Sequence, residues 1–189
     1  MYNLYLKCKN SIRKLNNELN KFTYGTVENN KIIDLHEKFH TLPLSVVLKY
    51  KCGCCWELSL LEAEYFSLYL REIPYKLWYI QNAKYETHMW LSFQWNAKTI
   101  AFESAWQDFQ GLHVYNTEKD MLIDYTKRCI NVWDYSCSHF VARISKFTAN
   151  RLAPWQFMNI ALNNSTFAYG NFNLYNKVKN DLKTSDEEI

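Results

Sequence analysis

The chain has 189 residues, of which 48% are hydrophobic and 17% aromatic, and its net charge is +3. This length suffices for one domain with a substantial core, and only four glycines and three prolines leave little room for a flexible linker. The interspersed charges argue against nucleic-acid binding. The sequence shows no pattern of a signal peptide and no apolar run as long as a membrane span, so we expect a cytoplasmic protein.

The first part of the chain is predicted to be mainly helical. Apolar residues repeat at helical spacing from 4 to 22, and Gly25 is a stop signal. Residues 26–34 are polar and predict a loop, and residues 34–40 predict a short helix or turn. From Trp56 to about Arg71 apolar residues cover most of a helix, which predicts a central, buried element. Its charged residues are interpreted as ordinary helix surface: Glu62, Glu64, Arg71 and Glu72.

After Pro74 the apolar period changes to two, which indicates strands. We expect strands at 75–81, 87–95 and 99–105, with a two-residue turn at Asn96-Ala97, and a helix at 121–130 that begins near Thr117. Residues 131–170 allow no clear assignment, and the charged end, 181–189, is predicted to fray. The fold class is therefore α+β, with helices packed on one side of an antiparallel sheet. We expect a single domain over residues 1–189, best supported over 45–130.

Cys55 stands where the buried helix should begin, directly after Cys52-Gly53-Cys54. The free N–H groups of a first helical turn and the helix dipole stabilise a thiolate, so this position suits a nucleophile. A cysteine at the start of an apolar helix is also common as plain core. The crowded sulfurs also raise the possibility of zinc, with Cys129, Cys137 or His139 as further ligands, but these residues match no usual spacing.

His88 and Glu103 lie on neighbouring predicted strands. If Asn96-Ala97 is the hairpin turn, Trp90 faces Glu103, and His88 becomes a diagonal neighbour of Glu103 on the same face. A turn at Trp95-Asn96 would place His88 and Glu103 directly opposite each other, whereas a three-residue loop would place them on opposite faces. A histidine whose tautomer is fixed by a carboxylate is suited to take a proton from a thiol. The spacing alone is equally compatible with a structural histidine beside a solvated glutamate.

Together these residues resemble a known family. Gly53-Cys54-Cys55-Trp56 is similar to the Gly-x-Cys-Trp motif that opens the catalytic helix of the transglutaminase-like superfamily, which shares its architecture with papain-like proteases. Thr87-His88 at a strand start, followed by an acid on the next strand, resembles the rest of that pattern. The stretch from Phe102 to His113 is similar to uncharacterised transglutaminase-like proteins of Gram-positive bacteria and their phages.

The resemblance implies Cys55 as nucleophile, His88 as general base and acid, and Glu103 as the residue that orients His88. Glu103 stands where the superfamily usually has Asp, so Asp108 is an alternative third member. The implied function is a cysteine hydrolase or acyltransferase that acts on the amide carbonyl of a protein, peptide or small molecule, with no cofactor or metal. The alternative is an inactive binding module on the same fold.

Other aromatic and histidine residues have weaker signals. Trp90 and Trp106 are candidates for the wall of a substrate cleft, whereas Trp56 is expected to be core. His113 is interpreted as structural. His36 and His40 lie four residues apart, as two metal ligands on a helix would, but a solvated face is the simpler interpretation.

Overall fold

The computed structural model describes residues 2–133, 136–148 and 150–184. Over these residues the helices are α1 (Tyr2–Leu19), α2 (Leu44–Tyr50), α3 (Cys55–Tyr69), α4 (Glu118–Val132), α5 (Pro154–Asn163) and α6 (Phe172–Thr184). The strands are β1 (Thr23–Tyr24), β2 (Thr26–Glu28), β3 (Lys31–Ile33), β4 (Cys52–Gly53), β5 (Tyr75–Asn82), β6 (Thr87–Trp95), β7 (Lys98–Glu103), β8 (Gly111–Tyr115), β9 (His139–Ile144) and β10 (Ser165–Gly170). A 3-10 turn, Gln107–Phe109, lies between β7 and β8.

Six of the strands form the main sheet, in the spatial order β10-β9-β5-β6-β7-β8. Every neighbouring pair in it is antiparallel. The predicted α+β class with an antiparallel sheet is therefore confirmed. β9 comes late in the chain yet pairs with β5, so the sheet grows outward in both directions from the β5–β6 hairpin.

The β6–β7 hairpin has the predicted turn and register. Asn96 and Ala97 both adopt positive φ, 50° and 59°, as a tight two-residue hairpin turn requires. Trp95 lies opposite Lys98, and further from the turn Leu91 lies opposite Phe102. Side chains alternate along a strand, so this register places His88 and Glu103 on the same face.

The sheet is covered on both faces, so the expectation that helices pack on one side is wrong. One face packs against α1, α2, α3, α5 and α6. The other packs against α4, through Met121, Leu122 and Tyr125. The physical reason lies in the strands: β5 alternates Leu77 and Tyr79 with Trp78 and Ile80, all buried, so both faces need an apolar layer.

Several local predictions are corrected by the structure. The polar stretch 26–34 forms a small hairpin, β2–β3, rather than a loop. Of the two alternatives for 34–40, a short helix or a turn, the structure has the turn. The unassigned region contains β9, α5 and β10. Residues 181–184 belong to α6, where Leu182 is buried in the core, and the remainder of the predicted frayed tail, 185–189, lies outside the described residues.

No helix in the described ranges combines the length and the apolar character that a membrane span requires.

Candidate active site

Cys55 is the first residue of α3, and the chain that precedes it is held tightly. β4 pairs in parallel with β1, and a Cβ on Gly53 would meet three side chains at 3.4 Å. The backbone N–H of Cys54 donates to the Glu57 carboxylate at 2.8 Å and so caps the helix. Cys55 is only 4% exposed. The first turn of a helix, where Cys55 stands, has free N–H groups and a dipole that favour a negative charge.

His88 and Glu103 form a direct pair. His88 Nε2 lies 2.7 Å from Glu103 Oε2, and both side chains are buried. The other carboxylate oxygen of Glu103 accepts hydrogen bonds from the backbone N–H groups of Ala105, at 2.9 Å, and Trp106, at 3.0 Å. Glu103 is thus the carboxylate that His88 contacts, whereas Asp108 lies exposed in the 3-10 turn.

The His88 ring also contacts the Cys55 thiol. Because Nε2 is bound by Glu103, Nδ1 is the nitrogen that remains for the sulfur. Burial by itself opposes a charge on His88, but the Glu103 carboxylate and Cys55 outweigh it and raise the pKa of His88 to about 10. The neighbouring Cys54 side chain and the interaction with His88 overcome the effect of burial and lower the pKa of Cys55 to about 5. Between these values the pair is a thiolate and an imidazolium.

The two adjacent cysteines have opposite properties. Burial raises the pKa of Cys54 well above its usual value, and the Cys54 thiol donates to the Glu57 carboxylate at 2.6 Å. The neighbouring Cys54 side chain and the Met89 backbone both act to lower the pKa of Cys55. Cys55 is therefore the thiol with the properties of a nucleophile, and Cys54 is part of its support.

The tryptophans differ from one another in position. Trp56 is buried, as expected: it stacks on Phe157 at 4.1 Å between ring centres, and its indole N–H donates to Thr87 at 3.2 Å. Trp90 is 0% exposed and stacks on Tyr125 at 4.3 Å, so the prediction that it contacts substrate is wrong. An apolar ring on this face of β6 is simply covered by α4. Trp106 is half-buried and lies on the surface of a cavity.

This cavity has a volume of about 540 Å³, and His88 and Tyr24 form part of its wall. Both residues interact electrostatically with Cys55, which is buried behind the lining. The remaining lining residues are Asp34, Thr87, Ala105, Trp106, Gln107, Asp108, Cys129, Val132 and Trp133. The volume is in the range that accommodates a small molecule or one side chain of a peptide.

Two residues of this region were not predicted from the sequence. Tyr24 lies in β1 and has no motif to mark it. Glu62 was interpreted as helix surface, but it is 0% exposed and accepts a hydrogen bond from the Ser104 hydroxyl. Burial raises the pKa of Glu62 well above its usual value, and the charge of Glu103 acts in the same direction. Its spacing was a signal: Glu62 follows Cys55 by two helical turns on an otherwise apolar face.

The remaining candidates have structural contacts. His113 Nε2 lies 2.7 Å from the Phe109 carbonyl oxygen and the ring stacks on Phe109, consistent with a structural role. His36 contacts Glu28, and His40 is exposed. Within the described ranges, no group of three or more His, Cys, Asp or Glu side chains has the arrangement of a metal site.

Comparison of the chain with models of known protein families gives no match, and comparison with curated proteins gives none either. The chemistry of the site therefore has to follow from its own residues.

Proposed function

We propose that the protein is a cysteine-dependent hydrolase or acyltransferase that acts on an amide or peptide carbonyl through a thioester. The observation that supports this function is the chain of interactions from Cys55 through His88 to Glu103, with His88 in the wall of a cavity. A buried carboxylate that orients a histidine, which in turn contacts a thiol, is the general arrangement of an activated nucleophile.

The surrounding architecture supports a transglutaminase-like or papain-like fold as part of the same proposal. The nucleophile begins a buried central helix, and the histidine and the acid lie on adjacent antiparallel strands, in the chain order Cys, His, acid. Glu103 replaces the usual Asp. Its longer side chain reaches His88 across the diagonal of the hairpin and still accepts two backbone hydrogen bonds.

The proposed reaction uses side chains of the chain itself. The Cys55 thiolate attacks the carbonyl carbon, and the carbonyl electron pair moves onto oxygen. As the tetrahedral intermediate collapses, the C–N bond breaks and His88 gives its Nδ1 proton to the departing amine. The thioester on Cys55 then passes to water, in a peptidase, amidase or deamidase, or to an acceptor amine, in a transferase. His88 takes the proton of whichever acceptor attacks.

The pH dependence of alkylation tests this proposal. At pH 6 a thiol of pKa about 8.5 is about 0.3% thiolate, whereas a thiol of pKa about 5 is roughly nine-tenths thiolate. We therefore expect iodoacetamide to label Cys55 rapidly at pH 6, with a midpoint near pH 5, as mapped by mass spectrometry. His88→Ala should lose this labelling, because it removes the imidazolium. Cys54→Ala is the matched control and should still be labelled at Cys55, with a higher midpoint.

Two outcomes would contradict the proposal. One is slow labelling of the wild type with a midpoint near that of a free thiol. The other is labelling at Cys54 or Cys52 that does not depend on His88. Either outcome would favour the alternative, a binding module on the same fold. Circular dichroism of each variant establishes that the comparison is between folded proteins.

A further inference from the structure

Glu62 is a buried carboxyl group on the helix that carries Cys55, and the proposed reaction does not use it. It follows Cys55 by two turns of α3 and is 0% exposed. Burying a carboxyl group costs free energy that an apolar side chain would not cost, and most of the other residues of α3 are apolar. The carboxyl group therefore needs a role that a leucine at this position could not have.

The partner of Glu62 is Ser104, the residue directly after the proposed acid of the triad. The Ser104 hydroxyl donates to Glu62 Oε1, and Ser104 is itself 3% exposed. The Ser104 carbonyl oxygen accepts a hydrogen bond from the side-chain amide of Gln110 at 2.7 Å. Ser104 is thus held from two sides, by α3 through its side chain and by the residue before β8 through its backbone.

The hairpin that brings the acid near the histidine does not reach as far as the acid. Pairing between β6 and β7 runs from the turn to Leu91 and Phe102, one residue before Glu103. On its other side β7 still pairs at Glu103, with Gly111 of β8, and there the strand ends. The chain that follows Glu103 therefore depends on side-chain contacts, of which the one from Ser104 to α3 is buried.

We propose that Glu62 is a positioning residue, which through Ser104 holds the turn 103–106 so that the Glu103 carboxylate faces His88. This inference rests on the proposed function and deepens its account of the triad. The backbone N–H groups of the two residues after Ser104 bind the carboxylate, so a movement of the turn moves the carboxylate as well. Because Glu62 lies on α3, the same link fixes the acid relative to the helix that carries the nucleophile.

Loss of this link should be visible at the thiol. A displaced Glu103 stabilises the imidazolium of His88 less, and the weaker imidazolium stabilises the Cys55 thiolate less. The midpoint of Cys55 labelling by iodoacetamide should then rise. A purely structural pair between a helix and a strand end would lower the free energy of unfolding when broken, but it would leave this midpoint of the folded protein unchanged.

The test compares variants that break the link with a variant that keeps it. Ser104→Ala removes the donor, and Glu62→Met removes the acceptor at a similar volume. Glu62→Gln keeps an oxygen for the Ser104 hydroxyl and removes the ionisable group. This variant separates position from charge, which is necessary because the charges of Glu103 and His88 act on Glu62.

Ser92→Ala is the matched control, because it also removes a buried serine hydroxyl from the same sheet. Ser92 is 2% exposed and accepts a hydrogen bond from the indole N–H of Trp78 at 2.7 Å. Its substitution should lower the free energy of unfolding without moving the turn after Glu103. Labelling profiles from pH 4 to 10 and urea unfolding are recorded for every variant.

We expect Ser104→Ala and Glu62→Met each to raise the labelling midpoint by about one pH unit, which slows labelling about fivefold at pH 5. The double variant should have no larger effect than either single change, because both break one link. Glu62→Gln and Ser92→Ala should keep the wild-type midpoint.

Three results would overturn the assignment: an unchanged midpoint in folded Ser104→Ala, an equal shift in Ser92→Ala, or a shift in Glu62→Gln as large as that in Glu62→Met. Failure of the proposed function itself looks different, because the wild type would then have a midpoint near that of a free thiol.

Discussion

Replacing Glu103 by Gln is a direct test of how the histidine is held. The substitution keeps the shape of the side chain and one oxygen for the N–H groups of Ala105 and Trp106. The amide nitrogen then faces His88 Nε2, which now donates to Glu103 at 2.7 Å. Two donors face each other, so His88 is stable only when Nε2 has no proton. That tautomer already carries its proton at Nδ1 and cannot accept one from Cys55.

The magnitude follows from the charges at the site. Burial is the largest influence on His88 and opposes its charge, so removal of the Glu103 carboxylate leaves His88 neutral at pH 7. Without the imidazolium, the pKa of Cys55 should return to about 8.5 or higher. The thiolate fraction at pH 6 then falls from about nine-tenths to about 0.3%, a loss of roughly 300-fold in alkylation rate. Acylation should fall by about 10³–10⁴-fold, as for similar changes in other triads.

The assay is the pH profile of iodoacetamide labelling at Cys55, recorded from pH 4 to 10 for the wild type, Glu103→Gln and Glu103→Asp. The aspartate variant keeps the charge, so its midpoint should stay well below that of Glu103→Gln. A folded Glu103→Gln protein that labels at the wild-type rate at pH 6 would refute this account, since it would show that the carboxylate does not control the charge of His88.

Two further predictions concern stability. Because the folded-state pKa of Glu62 is raised, its contribution to the free energy of unfolding is present at low pH and is lost as pH rises above about 4.3. In urea unfolding, the free energy of unfolding of Glu62→Gln should therefore rise relative to that of the wild type by up to about 1.4 kcal/mol per pH unit between pH 4.5 and 7.5. An equal difference between the two proteins at both pH values would contradict a raised pKa of Glu62. Ala97→Gly should raise the free energy of unfolding by about 0.5–1 kcal/mol, because Ala97 has φ 59° in the hairpin turn. Ala83→Gly, outside the positive-φ residues, is its control, and equal effects of the two changes would show that the backbone strain is not relieved.

Local patterns in the sequence were sufficient for the elements that carry the proposed triad. The all-round apolar stretch after Cys55 predicted a buried helix, and α3 begins at that residue. Alternation of period two and the turn at Asn96-Ala97 predicted the β6–β7 register, and with it the proximity of His88 and Glu103. The Thr117 side chain and Asp120 form the capping box expected at the start of α4. Each of these signals acts between residues that are close in sequence, so the chain itself specifies them.

Tertiary structure decided the features that depend on distant partners. β9 lies inside the sheet, between β10 and β5, because it pairs with β5, about sixty residues earlier, and no local pattern reports such a pairing. The pKa of Glu62 is raised because tertiary packing buries it, although its position on the helix resembles an ordinary surface site. Tyr24 lies opposite Gly53, two residues before Cys55, only because β1 joins β4 in parallel. The sequence by itself determined α3, the β6–β7 hairpin and the start of α4, since their periods, turn and cap are local, whereas burial and the contacts that set pKa values arise only when remote segments are packed together.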